Sequence, residues 1–223
     1  QMMVKQFAEE RELEVFFLVD VSSSMLLSST EKLKAEYVAE VIASMAYAIL
    51  SSGDSVGLSM FSDKIVKRVD FKKGIGQFYL LSNALVDLNY YGGTFDLAEA
   101  LKHLFVFLKE RSLLIIVSDF IPLREDWASY LPIVINKFEV IGIMIKDPLD
   151  SYMPKVNGRV ALADPFSKKK MLIEPNHIRE LYNKQAEKDD AWVEKVFYES
   201  NADFMKLRTD KEFIKPFIEL FRK

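Results

Sequence analysis

Val15-Phe16-Phe17-Leu18-Val19 is an unbroken apolar run that stops at Asp20, and Leu113 to Val117, continued by Ser118, stops at Asp119. Apolar, β-prone runs of this length without polar alternation suit strands covered on both faces, the situation of parallel strands between two helix layers. Two such runs separated by helix-period segments constrain the chain to a layered α/β fold. In that architecture a ligand site is expected at the carboxyl ends of the strands, where both aspartates fall.

The remaining pattern fits that frame. Ser28-x-x-Glu31 has capping-box spacing, and Leu33, Tyr37, Val41, Met45 and Ile49 recur at helical intervals until Gly53. Val56, Leu58 and Met60 predict a strand, with Ile65 to Val69 returning antiparallel across Ser62-Asp63-Lys64 as the sheet edge. A helix is expected over 75–88, a turn at Tyr91-Gly92-Gly93-Thr94, and a further helix marked by Leu97, Ala100, Leu101, Leu104, Phe105 and Leu108, with Asp96 near its positive end. A helix around Trp127 and a strand over 139–145 follow. After Asp147-Pro148 the pattern changes to a small hairpin (159–163 and 171–173), a charged helix from near Asn176, a short strand near 204–207 and a helix over 210–221.

The expected fold is therefore a doubly wound, mainly parallel sheet with one antiparallel edge strand and helices on both faces. Its 223 residues fit a single domain over 1–223, with 148–200 as an inserted hairpin-helix appendage. Half the residues are hydrophobic, which excludes global disorder. Thirty Lys and Arg stand against 33 Asp and Glu, so there is no electrostatic footprint for nucleic acid or an anionic membrane. No cysteine is present, which rules out disulfides and zinc–thiolate centres, and no apolar run reaches the roughly 20 residues of a membrane span.

Asp20-Val21-Ser22-Ser23-Ser24 carries one carboxylate and two hydroxyls out of a buried strand into a tight loop. By itself an Asp-x-Ser-x-Ser match arises by chance in roughly one chain in twenty of this length, so its context decides. Thr94 follows two glycines that let the backbone approach closely, and Asp119 ends the other buried strand, so all five residues can converge on one edge. Hydroxyl and carboxylate donors without nitrogen or sulfur suit a hard cation such as Mg²⁺, for which Mn²⁺ can substitute. With at most two carboxylates the ion would keep an exchangeable position, open to an acidic side chain of a partner.

These five residues resemble the metal-ion-dependent adhesion site of von Willebrand factor A-type domains. The resemblance implies metal binding by Asp20, Ser22 and Ser24, by Thr94 and Asp119 directly or through water, and completion of the octahedron by a partner carboxylate. A longer resemblance rests on Val4 to Glu12, Gly53-Asp54-Ser55-Val56-Gly57-Leu58, Ser118-Asp119-Phe120, Asp147-Pro148 and Thr209-Asp210. These segments are similar to the prokaryotic domain-of-unknown-function family fifty-eight. It implies a protein-binding adaptor or subunit working with a MoxR-type AAA+ ATPase, or with that ATPase's client, in assembly or in metal or cofactor insertion. Ser23, Met25, Gly93, Phe95 and Phe120 are then expected to form the rim that a partner touches; Phe95 departs from the family pattern. The expected location is the cytoplasm, any membrane anchor lying upstream of Gln1.

The other reading of the oxygen donors is a Mg²⁺-dependent phosphoryl-transfer enzyme, a phosphatase or nuclease. An aspartyl-phosphate phosphatase would want an acid two residues after its nucleophilic Asp, where this chain has Ser22, and no phosphate loop ending in Lys-Ser or Lys-Thr is present. The expectation is accordingly no catalytic activity. His103 and His177 lack His or Cys companions, Lys168-Lys169-Lys170 reads as a solvated turn, and Trp192 to Tyr198 reads as a core-facing helix segment.

Overall fold

The computed structural model describes residues 12–108, 112–164, 166–167 and 169–220. The Val4 to Arg11 part of the family resemblance lies outside them. The elements are β1 (Glu14–Asp20), α1 (Lys34–Ser51), β2 (Ser55–Phe61), β3 (Ile65–Lys72), α2 (Ile75–Val86), α3 (Leu97–Phe107), β4 (Leu113–Ser118), α4 (Leu131–Ile135) and β5 (Glu139–Lys146). They continue as α5 (Pro148–Ser151), β6 (Val160–Ala163), β7 (Lys170–Ile173), α6 (Pro175–Glu199), β8 (Asp203–Arg208) and α7 (Ile214–Leu220).

One sheet runs in the order β3-β2-β1-β4-β5-β8, with β6 and β7 forming a separate hairpin. β2 and β3 pair antiparallel; the other neighbours in the large sheet pair parallel. Chain order thus moves from β1 to β2 on one side and returns to β4 on the other. That reversal, at the carboxyl ends of β1 and β4, is where ligand sites fall in open α/β sheets.

The unbroken apolar runs are explained by two cores. Val15, Phe17 and Val19 join a core with Val38, Ile42 and Met45 of α1, while Phe16 and Leu18 face Leu101 and Leu104 of α3, together with Trp127 and Phe197. Alternate side chains of one strand enter opposite helix layers, so neither parity tolerates a polar residue. The register Val19↔Val117 brings the ends of β1 and β4 side by side.

Two expectations need correction. α1 does not start from a Ser28/Glu31 capping box: the Glu36 carboxylate accepts the Leu33 backbone N–H at 2.8 Å, while Ser28 accepts the Thr30 N–H at 2.9 Å and closes the preceding loop. Nor is 148–200 wholly an appendage. Gly142 of β5 lets α6 lie close, since a Cβ there would stand 2.6 Å from the Phe197 ring. Val193 and Phe197 are buried in the second core, so the carboxyl-terminal half of α6 is a layer of the main domain. The segment leading into α7 returns onto α1 as expected, with the Phe213 and Tyr37 ring centroids 5.9 Å apart.

Candidate metal centre

Asp20 is the last residue of β1 and is completely buried. Its two oxygens are used differently. Oδ1 accepts the backbone N–H of Ser22 at 2.8 Å, an Asx turn that folds the chain out of the strand, and Oδ2 accepts the Ser118 hydroxyl at 2.6 Å from the neighbouring end of β4. Ser22 and Ser24, both buried, lie with their hydroxyl oxygens 3.1 Å apart. A short 3-10 turn over Ser23–Leu26 makes this spacing possible, because it curls Ser24 back beneath Ser22.

Backbone bonds bring in the glycine loop. Gly92 donates its N–H to the Val21 carbonyl at 2.8 Å, and the Gly93 carbonyl accepts both the Ser23 N–H at 3.1 Å and the Ser23 hydroxyl at 3.0 Å. Gly93 has φ +82°, which favours glycine, and a Cβ there would crowd Ser62 Oγ at 3.1 Å. This ladder sets Thr94 beside the Asp20–Ser24 loop with its side chain exposed.

Asp119 is also completely buried, one residue past β4. Its Oδ1 accepts the Ile121 backbone N–H at 2.9 Å, and its Oδ2 accepts from Lys34 Nζ at 2.6 Å. The same ammonium reaches Asp150 Oδ2 at 2.8 Å. Phe120, between Asp119 and the Ile121 donor, takes the left-handed conformation at φ 57°, uncommon for an aromatic residue. Its N–H bonds the Ser118 hydroxyl at 2.8 Å.

The electrostatics follow from burial. Loss of hydration, with the charge of Asp119 adding to it, pushes the Asp20 carboxyl up to about 7 against the bonds from Ser118 and Ser22. Burial disfavours the Lys34 ammonium, but Asp119 and Asp150 outweigh it and hold Lys34 above its ordinary value, so it stays charged. Asp147, at the end of β5, is opposed by burial yet held below the usual carboxylate range. Ser29 bonds it through both hydroxyl and N–H, and the Leu149 N–H bonds it as well.

The donor set fits a hard divalent cation. It holds two buried carboxylates and the paired Ser22 and Ser24 hydroxyls, with the exposed Thr94 on the adjoining glycine loop, and Asp20 lies in surroundings that penalise its negative charge. Among the described residues no group of three His, Cys, Asp or Glu side chains is placed to hold a metal, so hydroxyls would be obligatory members of any shell here.

The expected rim is only partly a surface. Ser23 is half-buried and Gly93 exposed, but Met25, Phe95 and Phe120 are buried and their side chains cannot touch a partner. Phe95 and Phe120 instead form an aromatic bed with Phe61, Trp127 and Phe197 beneath the loops. The histidines are elsewhere: His103 packs on Phe107, and His177 pairs with Glu174 at the start of α6. Lys169 and Lys170 are exposed, and Lys168 lies outside the described residues.

Sequence reasoning missed Lys34, Ser118 and Asp150. For Lys34 a signal existed: it shares the helical spacing of Tyr37, Val38, Val41, Ile42 and Met45, all buried, so the stripe that reads as core begins with a cation.

A family model described as "Protein of unknown function DUF58" matches residues 1–192. The chain belongs to this family. Uncharacterized protein Rv1480 of Mycobacterium tuberculosis is 26% identical to this DUF58 chain over 216 residues, covering 95% of the chain and 67% of the relative. Among solved structures, the conserved hypothetical protein BatB from Bacteroides thetaiotaomicron superposes with a TM-score of 0.61 at 12% identity, covering 95% of the DUF58 chain and 100% of that one. The SpRpn10 VWA domain does so with a TM-score of 0.51 at 10% identity, covering 94% and 95%. These likenesses are of fold: the DUF58 chain has the von Willebrand A architecture, a mostly parallel six-stranded sheet with one antiparallel edge. Among the described residues no helix is long and apolar enough to cross a membrane.

Proposed function

We propose that this protein is a Mg²⁺-dependent protein-binding module whose ion is held by Asp20, Ser22 and Ser24, with Thr94 and Asp119 completing the set. The observation that carries the reading is the buried Asp20 carboxylate, flanked by the Ser22 and Ser24 hydroxyls and facing the charge of Asp119 at the carboxyl edge of the sheet. A divalent cation relieves both the desolvation of Asp20 and its repulsion by Asp119, and Mn²⁺ serves as well as Mg²⁺. An ion with few protein carboxylates retains positive charge, which suits capture of an Asp or Glu from another protein.

The partner in this reading is a MoxR-type AAA+ ATPase or that ATPase's client, met in the cytoplasm. The von Willebrand A architecture and membership of the DUF58 family support a binding role. The same reading assigns no catalysis. Among the described residues both imidazoles stand away from the carboxylates, and the ammonium bonded to Asp119 is also bonded to Asp150, so that ammonium is not free to serve a substrate as an acid.

The test is affinity for a purified MoxR-type ATPase, measured by biolayer interferometry in Mg²⁺ and in EDTA, for wild type and an Asp20→Ala, Asp119→Ala double variant. Binding that requires both the ion and the two carboxylates supports the reading. Unaltered affinity in the double variant or in EDTA refutes it.

A further inference from the structure

Lys34 is a lysine with no solvent exposure, placed as the first residue of α1, where the positive end of the helix dipole disfavours an ammonium. Its Nζ bonds Asp119 Oδ2 at 2.6 Å and Asp150 Oδ2 at 2.8 Å. Asp150 in turn accepts the Asp147 backbone N–H at 3.0 Å, and Asp147 bonds the N–H of Ser29 in the loop before α1 at 2.8 Å. One ammonium therefore ties the loop after β4 to the corner after β5 and to the entry of α1.

The consequence for Asp119 is specific. Oδ1 is turned to the Ile121 N–H and Oδ2 to Lys34. A divalent ion sharing Oδ2 would stand within a few ångströms of the ammonium, and like charges at that range in a buried site repel strongly. Among the described residues no such cation bonds Asp20: its oxygens accept from uncharged donors, Ser22 and Ser118. The two carboxylates of the site are therefore unequal, one free to meet an ion directly and one already committed to a cation.

We infer that Lys34 is a positioning residue for the metal site, holding Asp119 one water away from the ion and weakening the ion's binding. This rests on the metal-binding reading above. With Asp119 kept in the outer shell, the ion carries one fewer anionic ligand and keeps more of its charge for an incoming carboxylate. A lysine acting only as a clamp between Asp119 and Asp150 would leave the hydration of the ion untouched when it is replaced.

Mn²⁺ is the probe, titrated into the full chain and followed by electron paramagnetic resonance for affinity and by water-proton relaxation for the number of bound waters. Wild type is compared with Lys34→Met and with Lys34→Met/Asp150→Asn, the second variant removing one of the two carboxylates that the first leaves unpaired, so that a better-balanced protein lacking Lys34 is in hand. The expected result is binding about tenfold tighter in the variants, with one water fewer on the ion, as Asp119 moves into the inner shell. Equal or weaker binding with unchanged hydration in a folded variant overturns the inference while leaving the metal site standing. Absence of Mn²⁺ binding in wild type and variants alike overturns the metal-binding reading and this inference with it.

Discussion

Lys34 Nζ lies 2.6 Å from Asp119 Oδ2, and both side chains are completely shielded from solvent. The pair joins the first turn of α1 to the loop after β4, two elements separated by 85 residues in the chain. It makes the candidate site more than a row of oxygen donors on a loop, because among the described residues one of its carboxylates is already balanced by a cation while the other, Asp20, accepts only from uncharged donors.

Replacing Lys34 with Met leaves the buried Asp119 and the partly buried Asp150 without their cation. Breaking a buried pair in this way costs about 3–5 kcal/mol of metal-free stability. Urea unfolding in EDTA checks the loss; a change within the scatter of ordinary surface substitutions would contradict the assigned network.

Acidity provides a second check. The folded-state Asp20 carboxyl is raised from 3.8 to about 7 by burial and by Asp119. Between those values the folded protein holds a proton that the unfolded chain has released, so the contribution of Asp20 to metal-free stability falls as pH rises through that window and levels off above it. A bound cation replaces the proton, and Mg²⁺ affinity is expected to rise about fivefold from pH 6 to pH 7, tracking the deprotonated fraction. Calorimetric titrations at the two pH values measure it, and a flat or falling affinity speaks against Asp20 as a ligand.

Gly93→Ala puts a Cβ on a residue at φ +82° and 3.1 Å from Ser62 Oγ. Backbone strain of this kind costs on the order of 1 kcal/mol. Because Gly93 carries the carbonyl that Ser23 bonds, the cost falls on the loop bearing Thr94, and Mg²⁺ affinity should drop several-fold with little change in circular dichroism. Unchanged metal affinity would detach this loop from the site.

Gly142→Ala supplies the opposite pattern. The new methyl group would meet the Phe197 ring at 2.6 Å, and overpacking of this sort costs about 1–3 kcal/mol. Thermal unfolding should fall while Mg²⁺ affinity holds, since α6 carries none of the proposed ligands.

The sheet was legible because its central strands are buried on both faces, which forces the unbroken apolar runs ending at Asp20 and Asp119. The placement of the candidate residues at the sheet edge was legible for the same reason, each carboxylate being tied to the end of a strand and Thr94 to a glycine pair. What escaped the sequence was pairing across long separations. Lys34 reads as one more polar residue near a helix start until Asp119 and Asp150 are brought to it. Ser28 and Glu31 have the spacing of a cap, yet the Ser28 hydroxyl closes its own loop with Thr30 and Lys32, and Glu36 serves Leu33. Met25, Phe95 and Phe120 follow site residues in the chain, but local turns direct their side chains into the core rather than toward a partner.

The central claim is that Asp20, Ser22 and Ser24 hold a divalent cation. Isothermal titration of Mg²⁺ into metal-free wild type, beside the Asp20→Asn and Ser22→Ala/Ser24→Ala variants, tests it most directly. The account predicts one binding event in wild type that both variants lose while remaining folded. Heat of the same size and affinity in all three proteins, or none in wild type, would contradict it.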